Sequence, residues 1–168
     1  MSERARVLII MGSDSDLQVM LETKKALQEL GISCRLTVAS AHRSPSRAKR
    51  LAEEAREAGI GVIIAGAGAA AHLAGVLAAH TILPVIGVPI DSSPLKGWDA
   101  LLATLQMPPG IPVATMAVGK AGARNAGILA AQILGLNDAK IQQRLLRAKE
   151  EMARSVEAKA VKVEEESG

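Results

Sequence analysis

The segment at 40–45, Ser-Ala-His-Arg-Ser-Pro, places the imidazole of His42 next to the guanidinium of Arg43. Imidazole exchanges protons near neutral pH, and guanidinium binds phosphate through two parallel hydrogen bonds. The segment follows a strand-like run at 33–39 and ends in a Ser-Pro pair typical of a helix start. Because open α/β sheets bind ligands at the carboxyl ends of their strands, this pattern predicts catalysis on a phosphorylated small molecule. A simpler interpretation stays open, in which His42 caps a helix and Arg43 forms a surface ion pair.

A second candidate site is the turn after the first hydrophobic run, Met-Gly-Ser-Asp-Ser-Asp at 11–16. Its backbone amides and serine hydroxyls meet the amino end of the next helix, where the macrodipole favours an anion. One aspartate can accept hydrogen bonds from ribose hydroxyls while the other caps the helix. The turn is therefore predicted to bind a phosphate and a ribose.

Small residues follow the third hydrophobic run, from Gly66 to His72. Their spacing matches the dinucleotide pattern Gly-x-Gly-x-x-Ala only loosely, since the pattern belongs after a first strand. The small side chains equally suit a backbone that a flat ligand approaches closely.

Other chemistries lack the residues that they require. The three histidines have no metal-ligand spacing with one another or with Cys34, and neither a P-loop nor a Gly-x-Ser-x-Gly motif occurs. The single cysteine fits a reducing compartment. The net charge of +3 is dispersed and Trp98 is the only Phe, Trp or Tyr residue, so we expect no nucleic-acid partner. No apolar run reaches the roughly 20 residues of a membrane span, so a cytoplasmic protein without metal or other cofactor is expected.

Strand-like and helix-like segments alternate along the chain and must position these groups. Buried apolar runs joined by helical crossovers predict an α/β fold: a three-layer, doubly wound, parallel five-stranded sheet of flavodoxin-like type. The predicted strands are 5–11, 33–39, 61–65, 84–88 and 112–118, and the predicted helices are 17–30, 44–58, 69–79 and 121–134.

Two segments go beyond this alternation. Residues 89–112 are too many for a simple connection, so we expect a lid or substrate wall there. An extra C-terminal helix is predicted from about 137 to 163, and since four earlier helices already cover the sheet, its apolar stripe is expected to pack on a neighbouring subunit. The stripe consists of Ile141, Leu145, Ala148, Met152 and Val156. We interpret the chain as one domain, with a catalytic part at 1–136 and a C-terminal helix and tail at 137–168.

Several ordered motifs occur between residues 11 and 134. They are Met-Gly-Ser-Asp-Ser-Asp (11–16), Ser-Ala-His-Arg (40–43), Ala-Gly-Ala-Gly (65–68), Ala-His-Leu (71–73), Pro-Val-Ile-Gly-Val-Pro (84–89), Gln-Met-Pro (106–108) and Gly-Lys-Ala-Gly (119–122). On these motifs the chain resembles the PurE family of purine biosynthesis. The resemblance implies the predicted fold, a homo-octamer and active sites at subunit junctions. It also implies an isomerase that moves the carboxylate of N-carboxyaminoimidazole ribonucleotide from the exocyclic nitrogen to the adjacent ring carbon, with neither metal nor ATP.

The resemblance further implies residue roles. His42 would be the general acid and base. The ribose phosphate of the nucleotide would bind Ser13, Asp16 and Arg43. The remaining pocket residues would be Ser40, Gly66, Ala67 and Gly68, which line the imidazole, together with His72 and Leu73. A structural hydrogen bond at a helix start is an equally open role for His72.

Two alternatives to the mutase remain. One is a direct aminoimidazole ribonucleotide carboxylase that uses carbon dioxide, and the other is a non-catalytic nucleotide-binding module. His42 argues against the module, because a sensor needs no imidazole at a strand end, and the resemblance points to the bacterial mutase branch. The chain departs from the usual family pattern at Ala69, Ala74, Trp98, Thr104 and Arg124.

Overall fold

The fold is seen in a computed structural model that describes residues 5–167 and contains one sheet of five parallel strands. Every residue of the first strand, Val-Leu-Ile-Ile-Met, is buried, as expected of a strand covered on both faces. The strands are β1 (Val7–Met11), β2 (Cys34–Val38), β3 (Val62–Gly68), β4 (Val85–Ile90) and β5 (Ala114–Thr115), in the order β2-β1-β3-β4-β5. The predicted doubly wound, flavodoxin-like fold is confirmed.

Helices cover both faces of this sheet. Within residues 5–167 they are α1 (Leu17–Glu29), α2 (Pro45–Glu54), α3 (Leu73–Ala78), α4 (Trp98–Leu105), α5 (Lys120–Gly135) and α6 (Ala139–Ser167). α1 and α5 share one face, where Gly127 lets the backbone of α5 approach Ala26 closely, and α2 and α3 cover the other face through Ala52 and Leu77. None of the helices described is both long and apolar enough to cross a membrane.

The segment 89–112 contains the helix α4, which the sequence analysis did not predict. α4 follows Gly97, whose φ of +87° favours glycine, and it packs on β4 through Ala100 and Thr104. The Thr104 methyl occupies the space that a side chain at Gly87 would fill, and its hydroxyl donates to the Ala100 carbonyl at 2.8 Å. Thr104 is thus a core residue and not part of a lid. β5, which follows, is much shorter than the predicted strand 112–118.

The predicted helix start at Ala69 is wrong, because α3 begins at Leu73. Ala69 has a φ of +51°, a left-handed conformation that a regular helix does not contain. The amides of Ala71 and His72 donate to the carbonyls two residues earlier, each at 2.8 Å. Residues 69–72 therefore form a tight turn between β3 and α3.

The C-terminal helix packs partly on its own chain, which corrects the expectation that its whole stripe needs a neighbour. Ile141 is buried in the cluster formed by α1, α5 and the sheet, and Leu145 and Ala148 pack against that cluster. Met152 and Val156 are 58% and 63% exposed. The stripe thus has an inner part that completes the core and an outer part that the described chain leaves uncovered.

Two further departures from the family pattern have structural roles of their own. Ala74 is buried in the cluster under α2 and α3. Arg124 donates to Glu29 at 2.7 Å and links α5 to α1 on the surface. Because the pair is nearly half exposed, it contributes at most about 1 kcal/mol to folding.

Candidate active site

The loops at the carboxyl ends of β1, β2, β3 and β4 surround a cleft of about 290 Å³. It lies where the strand order reverses between β1 and β3, the position at which doubly wound sheets bind ligands. Gly66 and His72 are predicted site residues that do not line the cleft. The predicted residues that do line it are Ser13, Asp16, Ser40, His42, Arg43, Ala67, Gly68 and Leu73.

The turn after β1 is held by reciprocal capping bonds. The Ser13 hydroxyl accepts a hydrogen bond from the Ser15 amide at 3.3 Å, and the Asp16 carboxylate accepts one from the Ser13 amide at 3.2 Å. A 3₁₀ turn at Asp14–Asp16 leads from this cap into α1. The amino end of the helix therefore faces the cleft, in the arrangement that the sequence predicts for anion binding.

Asp16 is the buried acidic group of the cleft, with 4% of its surface exposed. Burial raises the pKa of its carboxyl above the ordinary 3.8, against the opposing effects of hydrogen bonds from Ser13 and Ser15 and of the Arg43 charge. Ionised, this carboxylate is only an acceptor, so it suits a sugar hydroxyl better than a phosphate oxygen.

Ser40 organises the turn that carries His42 and Arg43. Its hydroxyl accepts hydrogen bonds from the amides of His42 and Arg43, at 3.3 and 3.1 Å, while its own amide donates to the Ser44 hydroxyl at 2.9 Å. The N-cap of α2 is Ser44, so the interpretation of His42 as a helix cap is wrong. Ser40 thus shapes the turn in addition to lining the cleft.

Arg43 extends from this turn towards the turn after β1. Its Nη2 donates to the Gly12 carbonyl at 3.4 Å, and the guanidinium is exposed. Within residues 5–167 Arg43 has no salt bridge, so the interpretation of a surface ion pair finds no support. The guanidinium is accessible to an anionic ligand beside Ser13.

The glycine-rich end of β3 divides between the cleft and the core. Ala67 and Gly68 line the cleft, whereas a side chain at Gly66 would press on the thioether of Met20 in α1. Glycine is therefore needed at position 66 for packing, and the expected contact of Gly66 with substrate stays a prediction. A side chain at Gly68 would collide with the Ser92 hydroxyl, so glycine at 68 lets the loop after β4 approach β3.

His72 contacts the candidate catalytic residue directly. Its Nδ1 lies 2.8 Å from Nε2 of His42, and the two rings meet edge to face with centroids 4.9 Å apart and planes at 77°. His72 is the N-cap residue of α3, but its side chain makes no capping bond to that helix and is hydrogen-bonded to His42 instead. Both imidazoles are exposed in the single chain.

Five further residues line the cleft that were not named one by one as site residues. Ser92 follows β4 at the same sheet edge and lies in the segment expected to form a substrate wall. The other four lie within the candidate segments 11–16, 40–45 and 66–72; they are Gly12, Ser15, Ala41 and Ala70. Among residues 5–167 no three His, Cys, Asp or Glu side chains converge as metal ligands do.

The fold and the cleft define an α/β protein with an imidazole and the amino end of a helix at the switch point of its sheet. The chain belongs to the AIR carboxylase family, whose sequence profile matches residues 6–155. The predicted family is thereby confirmed.

Named relatives and solved structures extend this result. The N5-carboxyaminoimidazole ribonucleotide mutase of Pyrococcus horikoshii is 54% identical over 164 residues, which cover 98% of this chain and 92% of the relative. The mutase of Escherichia coli K12 is 52% identical over 141 residues, or 84% and 83% of the two chains. The crystal structure of Treponema denticola PurE matches with a TM-score of 0.83 at 28% identity, covering 93% of this chain and 96% of that one.

Proposed function

We propose that this chain catalyses the N5-carboxyaminoimidazole ribonucleotide mutase reaction of purine biosynthesis. The carboxylate moves from the exocyclic nitrogen to the adjacent ring carbon and gives 4-carboxy-5-aminoimidazole ribonucleotide. Relatives that are 52–54% identical over most of the chain carry this mutase name. The structural observation that carries the proposal is the His42 imidazole in the wall of a cleft that also contains an anion-binding turn.

The substrate would lie with its phosphate between Ser13 and Arg43, where helix amides meet a guanidinium that has no salt bridge within residues 5–167. The carboxylate of Asp16 would accept hydrogen bonds from the ribose hydroxyls. The aminoimidazole would then extend towards Ser40 and His42. The backbone at Ala67 and Gly68 and the side chain of Leu73 complete this wall, and their small or apolar surfaces suit a flat ring.

His42 would supply both proton transfers. As the bond between the exocyclic nitrogen and the carboxyl carbon breaks, protonated His42 gives a proton to that nitrogen and carbon dioxide is released into the cleft. The adjacent ring carbon attacks the carbon dioxide, and neutral His42 then removes the proton from the same ring carbon. The imidazole ends in its starting state, so one residue suffices as acid and base.

We further propose that the chain works as a homo-oligomer, an octamer by the family resemblance, in the cytoplasm. His42 and His72 are exposed in the single chain, and Trp98 and Met152 are 67% and 58% exposed. Apolar surface of this kind favours association. A neighbouring subunit would cover it and exclude water from the cleft.

The decisive experiment follows a labelled carboxylate. The substrate, with ¹³C in its N-carboxylate, is mixed with the purified protein in buffer containing unlabelled bicarbonate. A mutase retains most of the label in the product and needs no bicarbonate. Product formed only from the uncarboxylated nucleotide and bicarbonate would indicate the carboxylase, and binding without turnover would indicate the non-catalytic module. Prior dialysis against a chelator should leave the rate unchanged.

A further inference from the structure

The contact between His42 and His72 joins two loops that are thirty residues apart in the chain. A nitrogen–nitrogen distance of 2.8 Å is a hydrogen bond, in which one ring supplies the N–H and the other its lone pair. Two neutral rings or a singly protonated pair satisfy this bond, whereas two imidazolium rings repel.

The His42 ring depends on this bond for its orientation. Within residues 5–167 its ring nitrogens have no hydrogen-bond partner besides His72, because Ser40 binds only the backbone of the turn. An exposed side chain without a partner samples several rotamers. The His72 ring extends from the tight turn 69–72, whose backbone is held by two hydrogen bonds of 2.8 Å.

We propose that His72 is the positioning residue for His42, acting through its Nδ1 atom. The hydrogen bond holds the His42 ring in one orientation, so that the same imidazole meets the exocyclic nitrogen and the ring carbon in turn. Positioning of this kind raises the turnover rate and leaves ground-state binding almost unchanged. This inference rests on the proposed role of His42 as acid and base.

The bond itself is tested in the ligand-free protein. The chain has three histidines, so ¹⁵N-histidine labelling gives three rings, which are assigned with His42→Asn and His80→Asn. We expect a scalar coupling across the bond between Nε2 of His42 and Nδ1 of His72, and a shift of the His42 nitrogens in His72→Ala. Absence of this coupling in the wild-type protein would overturn the proposal, whatever reaction the protein catalyses.

Kinetics test the positioning role. His72→Ala should lower kcat by roughly 10-fold, the effect of losing one hydrogen bond, with KM nearly unchanged. His72→Asn places an amide atom near the position of Nδ1 and should restore kcat to within about threefold of the wild type. Three results would overturn the proposal. One is a wild-type kcat in His72→Ala, and another is an equal loss of kcat in His72→Ala and His72→Asn. The third is a rise in KM with no fall in kcat. Exposed His72 tolerates both changes, and unfolding curves would verify the fold.

Discussion

At the scale of single residues, His42 combines a place in the cleft wall with a turn that the Ser40 hydroxyl holds in shape. His42→Asn removes the proton carrier and keeps a side chain of similar size. We expect turnover to fall by roughly 100-fold or more, while nucleotide affinity stays near wild type because Ser13 and Arg43 are unchanged. Single-turnover kinetics and calorimetry measure the two effects. His80→Asn, outside the cleft, is the control, and near-normal turnover in folded His42→Asn would refute the mechanism.

Arg43 should affect binding more than chemistry. Arg43→Lys keeps the charge but loses the two-pronged hydrogen bonding of the guanidinium. Affinity for the product nucleotide should fall roughly 10-fold, with a smaller change in the rate of the bound complex. Titration calorimetry measures this, with Arg50→Lys on the exposed surface of α2 as the control. Equal affinity of the wild type and Arg43→Ala would remove Arg43 from the phosphate site.

The buried carboxylate of Asp16 should lower the stability of the fold at neutral pH. Because its pKa is raised in the folded state, the ionised carboxylate destabilises the fold at every pH above that pKa, and the cost disappears as the pH falls towards 3.8. Asp16→Asn should therefore raise the urea midpoint at pH 7, and this gain should shrink as the pH falls through the raised pKa. Exposed Asp14→Asn is the control. An increase in the urea midpoint that is the same at every pH would contradict the explanation by burial of the ionised Asp16 carboxylate.

The sequence located most of the cleft because its polar residues follow strand ends. Ser13, Ser40, His42 and Arg43 each come directly after β1 or β2, and parallel strands bring such positions to one edge. The core role of Gly66 was missed because it depends on the place of Met20 in another element. The bond between the two histidines was missed for the same kind of reason, since nothing local sets a distance between distant loops.

At the scale of elements, the turn 69–72 contains a strained alanine. Ala69 has a φ of +51°, which costs a residue with a side chain about 1–2 kcal/mol, whereas glycine adopts it freely. Ala69→Gly should therefore stabilise the fold by roughly 0.5–1 kcal/mol after the entropy lost by glycine is subtracted. Denaturant unfolding measures this. Ala70→Gly is the control, because Ala70 has no positive φ, and it should destabilise the fold. If Ala69→Gly and Ala70→Gly changed the free energy of unfolding equally, the strain at Ala69 would be contradicted.

The elements were predictable where the apolar pattern was long. β1 and α1 were found almost at their observed limits, since a continuous apolar run and a 3.6-residue period are strong signals. α4 was missed because it has eight residues and lies between proline- and glycine-containing turns, which indicate a loop. The start of α3 was misplaced because alanine favours helices and a positive φ at Ala69 has no sequence signature.

At the scale of the whole molecule, α6 leaves the domain after its first turns. Its inner part is bound to the core by Ile141 and by Arg144, whose guanidinium donates to the carbonyls of Leu30 and Gly31 at 2.9 and 3.1 Å. Beyond Lys149 the described helix is exposed. A groove of about 660 Å³ lies between this helix and the surfaces of α1 and α5. Because the inner and outer parts differ in what they contact, they can be tested separately.

We expect the outer part of α6 to pack on a second copy of the chain. A chain that ends at Lys149 keeps Ile141 and Arg144, so the protomer should fold, yet assembly should shift to smaller species. Met152→Lys with Val156→Lys should act in the same way because both side chains lie on the uncovered stripe. If subunit junctions complete the cleft, activity should fall with assembly although His42 is intact.

Light scattering and sedimentation of these variants are the measurements that test the packing of α6. Ala158→Lys, on the opposite side of the helix from Val156, is the matched control and should keep the wild-type mass and turnover. Wild-type mass in both the shortened chain and the double lysine variant would show that the outer helix holds no neighbour. A wild-type protein that is a monomer at micromolar concentration would refute the assembly itself, because the exposed apolar stripe would then have no partner even without truncation or substitution.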